Sequence, residues 1–284
     1  MPLFLLRNLV PKIDYFMKDS IGIFDSGIGG LTIYAEIRKK LPYTPIIYFA
    51  DQKHVPYGTK ELREVLNFSK IISQYLIDHG ARMIVVACNT ASAAALYPLR
   101  KMFPEIPFVG MEPAVKPAAE STHTGVVGVL ATPATFQGQL YNSVVERFAK
   151  HVTIFKSTCP GLVQEIEKGN FTGKKTRQIL QETLSPMLEN QIDTVVLGCT
   201  HYPFVLPLIR EIVGNSVQII DPGPAIAKQV EKVKSTYAMI HEPDDRCNTI
   251  FITSGSKAKI ERFIDLVQHG CYKLEEVRWK GSDL

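Results

Sequence analysis

The chain has 284 residues, 45% hydrophobic and 21% charged, with a formal net charge of +4 from 32 basic and 28 acidic side chains. That balance belongs to a folded protein with room for one or two sizeable cores, and it excludes wholesale disorder. The basic excess is too thin and scattered for a dedicated nucleic-acid surface, and no apolar run approaches the ~18–20 residues of a membrane span. The five cysteines, Cys88, Cys159, Cys199, Cys247 and Cys271, are odd in number and contain no CxxC pair. They argue against a disulfide framework or a structural zinc and fit a reducing cytoplasm.

The N-terminus, MPLFLLRNLV, carries a short apolar stretch broken by Arg7. It lacks the basic start and small-residue cleavage site of a signal peptide. Residues 1–16 read as an upstream extension, and MKDSIGIF from Met17 reads as a natural start, with 1–19 ahead of the core. The first strand is IGIF (21–24). It runs into Asp25-Ser26-Gly27-Ile28-Gly29-Gly30, a turn that opens a helix. Its glycines let backbone approach a ligand and its N–H groups can hold an anion, yet neither GxGxxG nor GxxxxGK[ST] is matched.

IIYFA (46–50) is a second apolar strand. In 61–80, Leu62, Val65, Leu66, Phe68, Ile71, Ile72, Tyr75 and Leu76 recur with a helical period, and Gly80 ends the helix. MIVVA (83–87) leads directly to Cys88, and TVVLG (194–198) to Cys199. NTIFITSG (248–255) and SKAKIERFIDLVQHG (256–270) supply a last strand and helix. Continuous apolar strands alternating with amphipathic helices predict an α/β fold with mainly parallel sheets covered on both faces.

The chain is also internally repeated. Gly22 matches Gly128 and Phe49 matches Phe155 at an offset of 106; Cys88 matches Cys199 and Pro113 matches Pro224 at an offset of 111. Four landmarks in one order predict two similar flavodoxin-like lobes related by a pseudo-twofold axis. The first lobe is expected over 20–113 plus 222–284 and the second over 114–221, the last strand and helix returning to the first lobe. Ligands of open α/β sheets bind beyond the carboxyl ends of the strands. Both cysteines stand there, and the pseudo-dyad would oppose them across one cleft.

Two opposed thiols suit proton transfer at both faces of one carbon, which racemisation at an α-carbon requires. A thiol has a reference pKa of about 8.5, which a helix N-terminus can lower. One group would rest as thiolate and the other as thiol. Asn89, Thr90 and Thr200 follow the cysteines and can hydrogen-bond an ammonium or carboxylate. His201 can assist Cys199 or hold a carboxylate; a metal on Cys199 and His201 would need further ligands that the local sequence lacks. Asp25 can orient the Cys88 side or pair with an ammonium. Cys159, Cys247 and Cys271 read as structural.

IGIFDSGIGGLT (21–32), FADQKHVPYG (49–58), VVACNTASAAAL (85–96) and VLGCTHYPFV (196–205) resemble the glutamate racemases of bacterial cell-wall synthesis. The resemblance runs from Ile21 to the C-terminus. It implies catalytic thiols at Cys88 and Cys199, with Asp25 and His201 assisting. It implies substrate contacts at Asp25, Ser26, Tyr57, Gly58, Asn89, Thr90, Thr200 and His201, with Cys88 facing the D form and Cys199 the L form. It also implies no pyridoxal phosphate, no other cofactor and no metal, a small-molecule partner in glutamate, no nucleic-acid or membrane partner, and compatibility with a homodimer. A further family acid lies in a helix after a Cys-Pro pair. In STCPGLVQEIEKG (157–169) that position falls on Glu167, with Glu165 close by.

The alternatives are a racemase of aspartate or another acidic amino acid, and a two-lobed small-anion binding protein without chemistry. Loss of turnover with ligand binding retained in Cys88→Ala separates catalysis from binding. N-terminal sequencing of protein expressed from its native gene is expected to begin at Met17; a start at Met1 rejects the extension reading.

Overall fold

The computed structural model describes residues 17–237, 239 and 247–279. The expected extension, residues 1–16, lies outside them. The chain begins β1 (Ser20–Asp25), α1 (Leu31–Lys40), β2 (Ile46–Ala50), α2 (Leu62–Asp78), β3 (Ala81–Val86), α3 (Asn89–Met102), β4 (Phe108–Gly110) and α4 (Val115–Ser121). It continues β5 (Val126–Ala131), α5 (Pro133–Gln137), α6 (Gln139–Phe148), β6 (Thr153–Ser157), α7 (Leu162–Glu167) and α8 (Lys174–Glu189). Then come β7 (Thr194–Gly198), α9 (Leu206–Val213), β8 (Gln218–Ile220), α10 (Gly223–Thr236), β9 (Thr249–Thr253), α11 (Lys257–Val267) and β10 (Lys273–Glu276).

Two sheets form, and every strand pair described in them is parallel. The first has the order β10-β9-β2-β1-β3-β4 and the second β6-β5-β7-β8. The run β2-β1-β3-β4 recurs as β6-β5-β7-β8, so the sequence repeat is a repeat of topology. Its register is conserved too. Gly22 stands opposite Ile84 and Gly128 opposite Val195. Ile84 stands opposite Phe108 and Val195 opposite Ile219.

One landmark is not equivalent. Gly22 faces Ile47, but Gly128 faces Phe155, two residues beyond the position the offset of 106 requires. Phe49 faces Phe24 instead. An even slip keeps each side chain on its face of the sheet. The strands differ in how firmly they are held. β2 is pinned between β1 and β9 and fully buried, whereas β6 is an edge strand with one neighbour. Sequence reflects this: IIYFA is wholly apolar, while TIFKS places Thr153 and Lys156 in solvent.

α2 buries Val65, Phe68, Ile72, Tyr75 and Leu76, with Ser69 and Ser73 between them. Gly80 follows at φ +101°, where the Met17 carbonyl occupies the space a Cβ would need. α10 packs along α1 and carries the chain back to the first sheet, where β9 and β10 add beside β2. One apolar cluster spans both sheets, containing Ile21, Met83 and Tyr48 together with Val195, Leu197 and Tyr202. The two sheets are thus joined through one apolar core that includes residues of the helices, such as Ile33 of α1 and Ile226 of α10. Among the described residues no helix is long and apolar enough to cross a membrane.

The two equivalent glycines differ in what surrounds them. A Cβ on Gly22 would lie 2.8 Å from Ile84 Cδ1 and 3.1 Å from both Ala81 Cβ and Leu76 Cβ, which cannot swing aside. On Gly128 it would meet only side-chain ends, Met187 Sδ at 2.9 Å and Ile192 Cδ1 at 3.3 Å. Gly22→Ala is expected to destabilise by about 1–3 kcal/mol, and Gly128→Ala by less than about 1 kcal/mol. Urea midpoints at unchanged m-value measure both; equal losses would contradict this account.

Candidate active site

Each arm of the site begins where a buried strand ends. β1 delivers Asp25 with no exposed surface. Its Oδ1 accepts from the Gly27 amide at 2.8 Å, and its Oδ2 accepts from the Thr200 hydroxyl at 3.1 Å. β3 delivers Cys88, the residue before α3, whose Sγ accepts from the Ala91 amide at 3.5 Å. The same thiol lies 3.9 Å from Ser26 Oγ. β7 delivers Cys199, with Sγ 3.8 Å from His201 Nδ1.

His201 turns its other nitrogen to Glu167, with Nε2 2.7 Å from Oε1. That oxygen also accepts from the Ile28 amide at 2.9 Å. Glu167 is therefore the acid after the Cys-Pro pair that reaches the site. Glu165 is engaged elsewhere, with Asn170, Lys168 and Lys175 at 2.8, 3.0 and 3.1 Å. The glycines of the first turn now have a specific use. A Cβ on Gly27 would collide with the Glu167 carboxylate, and one on Gly29 would come 2.5 Å from His201 Nδ1 and 2.7 Å from Thr200 Oγ1. They let this turn close on side chains from the second half of the chain.

A second set of bonds runs the other way. Thr90 Oγ1, at the start of α3, lies 2.8 Å from Thr132 Oγ1, at the end of β5. Thr132 is bonded in turn to Thr135 at 2.8 Å. Thr132 is Ser26 plus 106, so it is the repeat counterpart of Ser26. The turn after β1 thus reaches the loop after β7, and the turn after β5 reaches the start of α3 after β3. These reciprocal contacts are what a pseudo-twofold axis through the site produces. Thr132 and Thr135 were missing from the residues singled out by sequence, although the repeat offset points to Thr132.

Asn89 is buried, and neither its Oδ1 nor its Nδ2 has a partner. Burying both ends of an amide unpaired is costly, and such a group beside Cys88 is suited to a polar ligand. Tyr57 behaves differently. Its phenol donates to Asp51 Oδ2 at 2.6 Å. Gly58 packs so closely on Thr132 that a Cβ would lie 2.6 Å from Thr132 Cβ. What this segment presents beside Thr132 is backbone. Cys159 is buried in the shared core, where burial pushes its thiol up to about 11. Cys247 is half-buried and Cys271 exposed.

The two thiols sit in unlike fields. Burial, with the nearby Asp25 carboxylate, raises the Cys88 pKa; the Ala91 amide at the helix start opposes this without prevailing. The expected lowering by the helix is present but outweighed. Burial also raises Asp25, against the opposing charge of His201 and the Gly27 amide. Burial alone would lower His201, but its bonds to Cys199 and Glu167 prevail and hold its pKa well above the usual 6.5. The arrangement thus sets a histidine of raised pKa beside Cys199 and a thiol of raised pKa at Cys88.

A raised His201 pKa has a definite sign in stability. Its contribution is fully present below the unfolded value of about 6.5 and is lost as pH rises through the higher folded value. Glu167→Gln is expected to lower the His201 pKa and move that loss to lower pH. NMR titration of the His201 ring checks it; an unchanged midpoint would show that Glu167 does not hold the charge.

Residues 30–230 match the model of the Asp/Glu/Hydantoin racemase family. A glutamate racemase of Pseudomonas paraeruginosa is 44% identical over 247 residues, 87% of this chain and 93% of that protein. The structure of Escherichia coli glutamate racemase in complex with L-glutamate and the activator UDP-MurNAc-Ala aligns with a TM-score of 0.80 at 31% identity, covering 93% of this chain and 100% of that one. Glutamate racemase from Francisella tularensis in complex with D-glutamate aligns with a TM-score of 0.80 at 29% identity, covering 91% and 97%. The chain belongs to the Asp/Glu/hydantoin racemase family, among its glutamate racemases.

Proposed function

We propose that this chain interconverts L- and D-glutamate by two-base proton transfer, with Cys88 and Cys199 on opposite faces of the α-carbon. The observation that carries the reading is the placement of the two thiols. They stand at equivalent ends of β3 and β7, and reciprocal bonds, Asp25 to Thr200 and Thr90 to Thr132, join the strand ends of the first sheet to those of the second. The relatives crystallised with L-glutamate and with D-glutamate support glutamate as the substrate.

In the L-to-D direction Cys199, as thiolate paired with the His201 imidazolium, removes the α-hydrogen, and the Cys88 thiol delivers a proton to the other face. The reverse direction exchanges the roles. His201 stabilises the thiolate, and Glu167 keeps His201 charged and oriented. Asp25 positions the first turn and faces the substrate ammonium. Ser26, Asn89, Thr90, Thr132, Thr200 and the backbone of Tyr57-Gly58 hold the polar groups of the substrate. No step in this scheme uses a metal or an organic cofactor. The lobes that close on the substrate are 20–113 with 222–284, and 114–221. The product D-glutamate serves cell-wall synthesis, and the cytoplasm is the place of action.

The mechanism predicts the fate of the α-proton. D-glutamate turned over in heavy water and sampled early is expected to give L-glutamate carrying deuterium, while residual D-glutamate keeps its hydrogen. Washout from recovered substrate would indicate one base serving both faces. Cys88→Ser and Cys199→Ser are each expected to lower racemisation in both directions by about 10²–10⁴, the usual contribution of a general acid or base. Each should retain one-sided elimination from one enantiomer of a β-chloro analogue, the enantiomer differing between the two variants. Full racemisation by the Cys88→Ala, Cys199→Ala double variant would end the proposal.

A further inference from the structure

Asp51 follows β2 directly and has no exposed surface. Its carboxylate is surrounded by donors from four places in the chain. Oδ1 accepts from Ser254 Oγ at 2.7 Å, after β9, and from Trp279 Nε1 at 3.0 Å, after β10. Oδ2 accepts from the Tyr57 phenol at 2.6 Å. His54 Nδ1 bridges both oxygens at 2.8 and 3.0 Å. A buried carboxylate is retained only where such donors replace water, and each donor then constrains the others through the shared acceptor.

The three rings in this cluster are themselves ordered. His54 stacks on Phe68 at 4.1 Å between centroids, and Trp279 meets His54 edge to face at 5.4 Å. Tyr57 also stacks on Phe68, at 5.6 Å between centroids. The segment between Asp51 and Tyr57 is thereby gripped at both ends. Past the grip, Tyr57–Thr59 forms a single 3-10 turn whose leading N–H groups, those of Tyr57 and Gly58, have no acceptor within the turn. Gly58 is the residue pressed against Thr132.

The geometry points to Asp51 as a positioning residue through which Trp279 holds the Tyr57-Gly58 backbone at the substrate cleft. The inference rests on the glutamate racemase reading for its ligand, but its structural content does not. With the phenol drawn to Asp51, what Tyr57 and Gly58 present beside Thr132 is backbone, the part of this segment that the proposed function places against the substrate. Trp279 is the only tryptophan in the chain. It lies more than 200 residues from this loop, so a bond at the end of the sequence sets the readiness of a segment near its beginning.

Trp279→Phe keeps an aromatic ring in the stack and removes only the N–H. Two measurements on the full chain test the inference together. In hydrogen exchange without ligand, the amides of residues 54–59 are expected to exchange about fivefold faster, with the strands of both sheets unchanged. In D-glutamate turnover, KM is expected to rise about fivefold with kcat within about twofold, because binding is weakened while the thiols are untouched. Asp51→Asn must move both readouts in the same direction and provides the test if Trp279→Phe does not fold. Unchanged exchange in 54–59 overturns the inference, and so does an unchanged KM. A fall in kcat and in thermal stability at constant KM would make the cluster a structural brace and also overturn it. Absence of glutamate turnover in the parent chain would refute the functional reading, and the exchange measurement would then decide the positioning role alone.

Discussion

Glu167 Oε1 takes two hydrogen bonds, one from the Ile28 amide in the turn after β1 and one from the His201 ring in the loop after β7. Desolvating an ionised carboxylate costs several kcal/mol unless good geometry repays it, and breaking such a pair typically costs about 3–5 kcal/mol. The Glu167 side chain is only 13% exposed, so the geometry is required. Much of the surrounding structure is arranged to satisfy it. Gly27 has no Cβ because the carboxylate is there, and Gly29 has none because His201 is there. Gly161, in the left-handed conformation at φ +84°, opens the short α7 that carries Glu167. Asp25 and Thr200 then lock the same turn and loop a second time.

Duplication explains the scaffold of the site but not its electrostatics. The repeat places a thiol at the end of β3 and another at the end of β7. Beyond the thiols the halves diverge. Asp25 corresponds to Ala131 at the offset of 106, and His201 to Thr90 at the offset of 111. Burial, and after it the Asp25 carboxylate, raises Cys88, while His201, itself raised by its bonds, stands beside Cys199. A symmetric frame thus holds an asymmetric set of polar neighbours, a carboxylate on the Cys88 side and an imidazole beside Cys199. Both directions of a racemisation remain open, because the substrate differs between directions only in which face carries its hydrogen.

Much of this was legible in the sequence, and the gaps have physical reasons. Strands buried on both faces, such as IIYFA and TVVLG, announce themselves by continuous apolar character, and both match their observed bounds. β10, KLEE, is a half-exposed edge strand whose pairing with β9 depends on the rest of the sheet, and local pattern did not reveal it. The Phe49 and Phe155 match was a coincidence of composition in strands held with different firmness. Asp25, Cys88, Cys199 and His201 were found because they sit at strand ends beside repeated landmarks. Thr132 and Thr135 were overlooked because an isolated threonine before a proline is an ordinary helix start, which Thr132 also is. The choice between Glu165 and Glu167 depended on which way each faces from α7, and that required the packing against Ile28 and His201. The DSGIGG glycines were read as room for a ligand; they make room chiefly for the protein's own side chains.

The order of strands in the first sheet bears on how the chain is made. All four strands of the second sheet lie between residues 126 and 220, one uninterrupted stretch. The first sheet begins at residue 20 but has β9 and β10 on its β2 side, and its last strand ends at residue 276. Synthesis proceeds from the N-terminus at about 5–20 residues per second, and contiguous units fold as they emerge. The sheet begun first is therefore completed last, and until β9 has left the ribosome the outer edge of β2, wholly apolar and in the finished protein covered by β9, remains unpaired. An open strand edge of that composition invites pairing with other chains. The vulnerable interval in the life of this protein is thus its birth, and its length is set by the distance between β2 and β9 along the messenger.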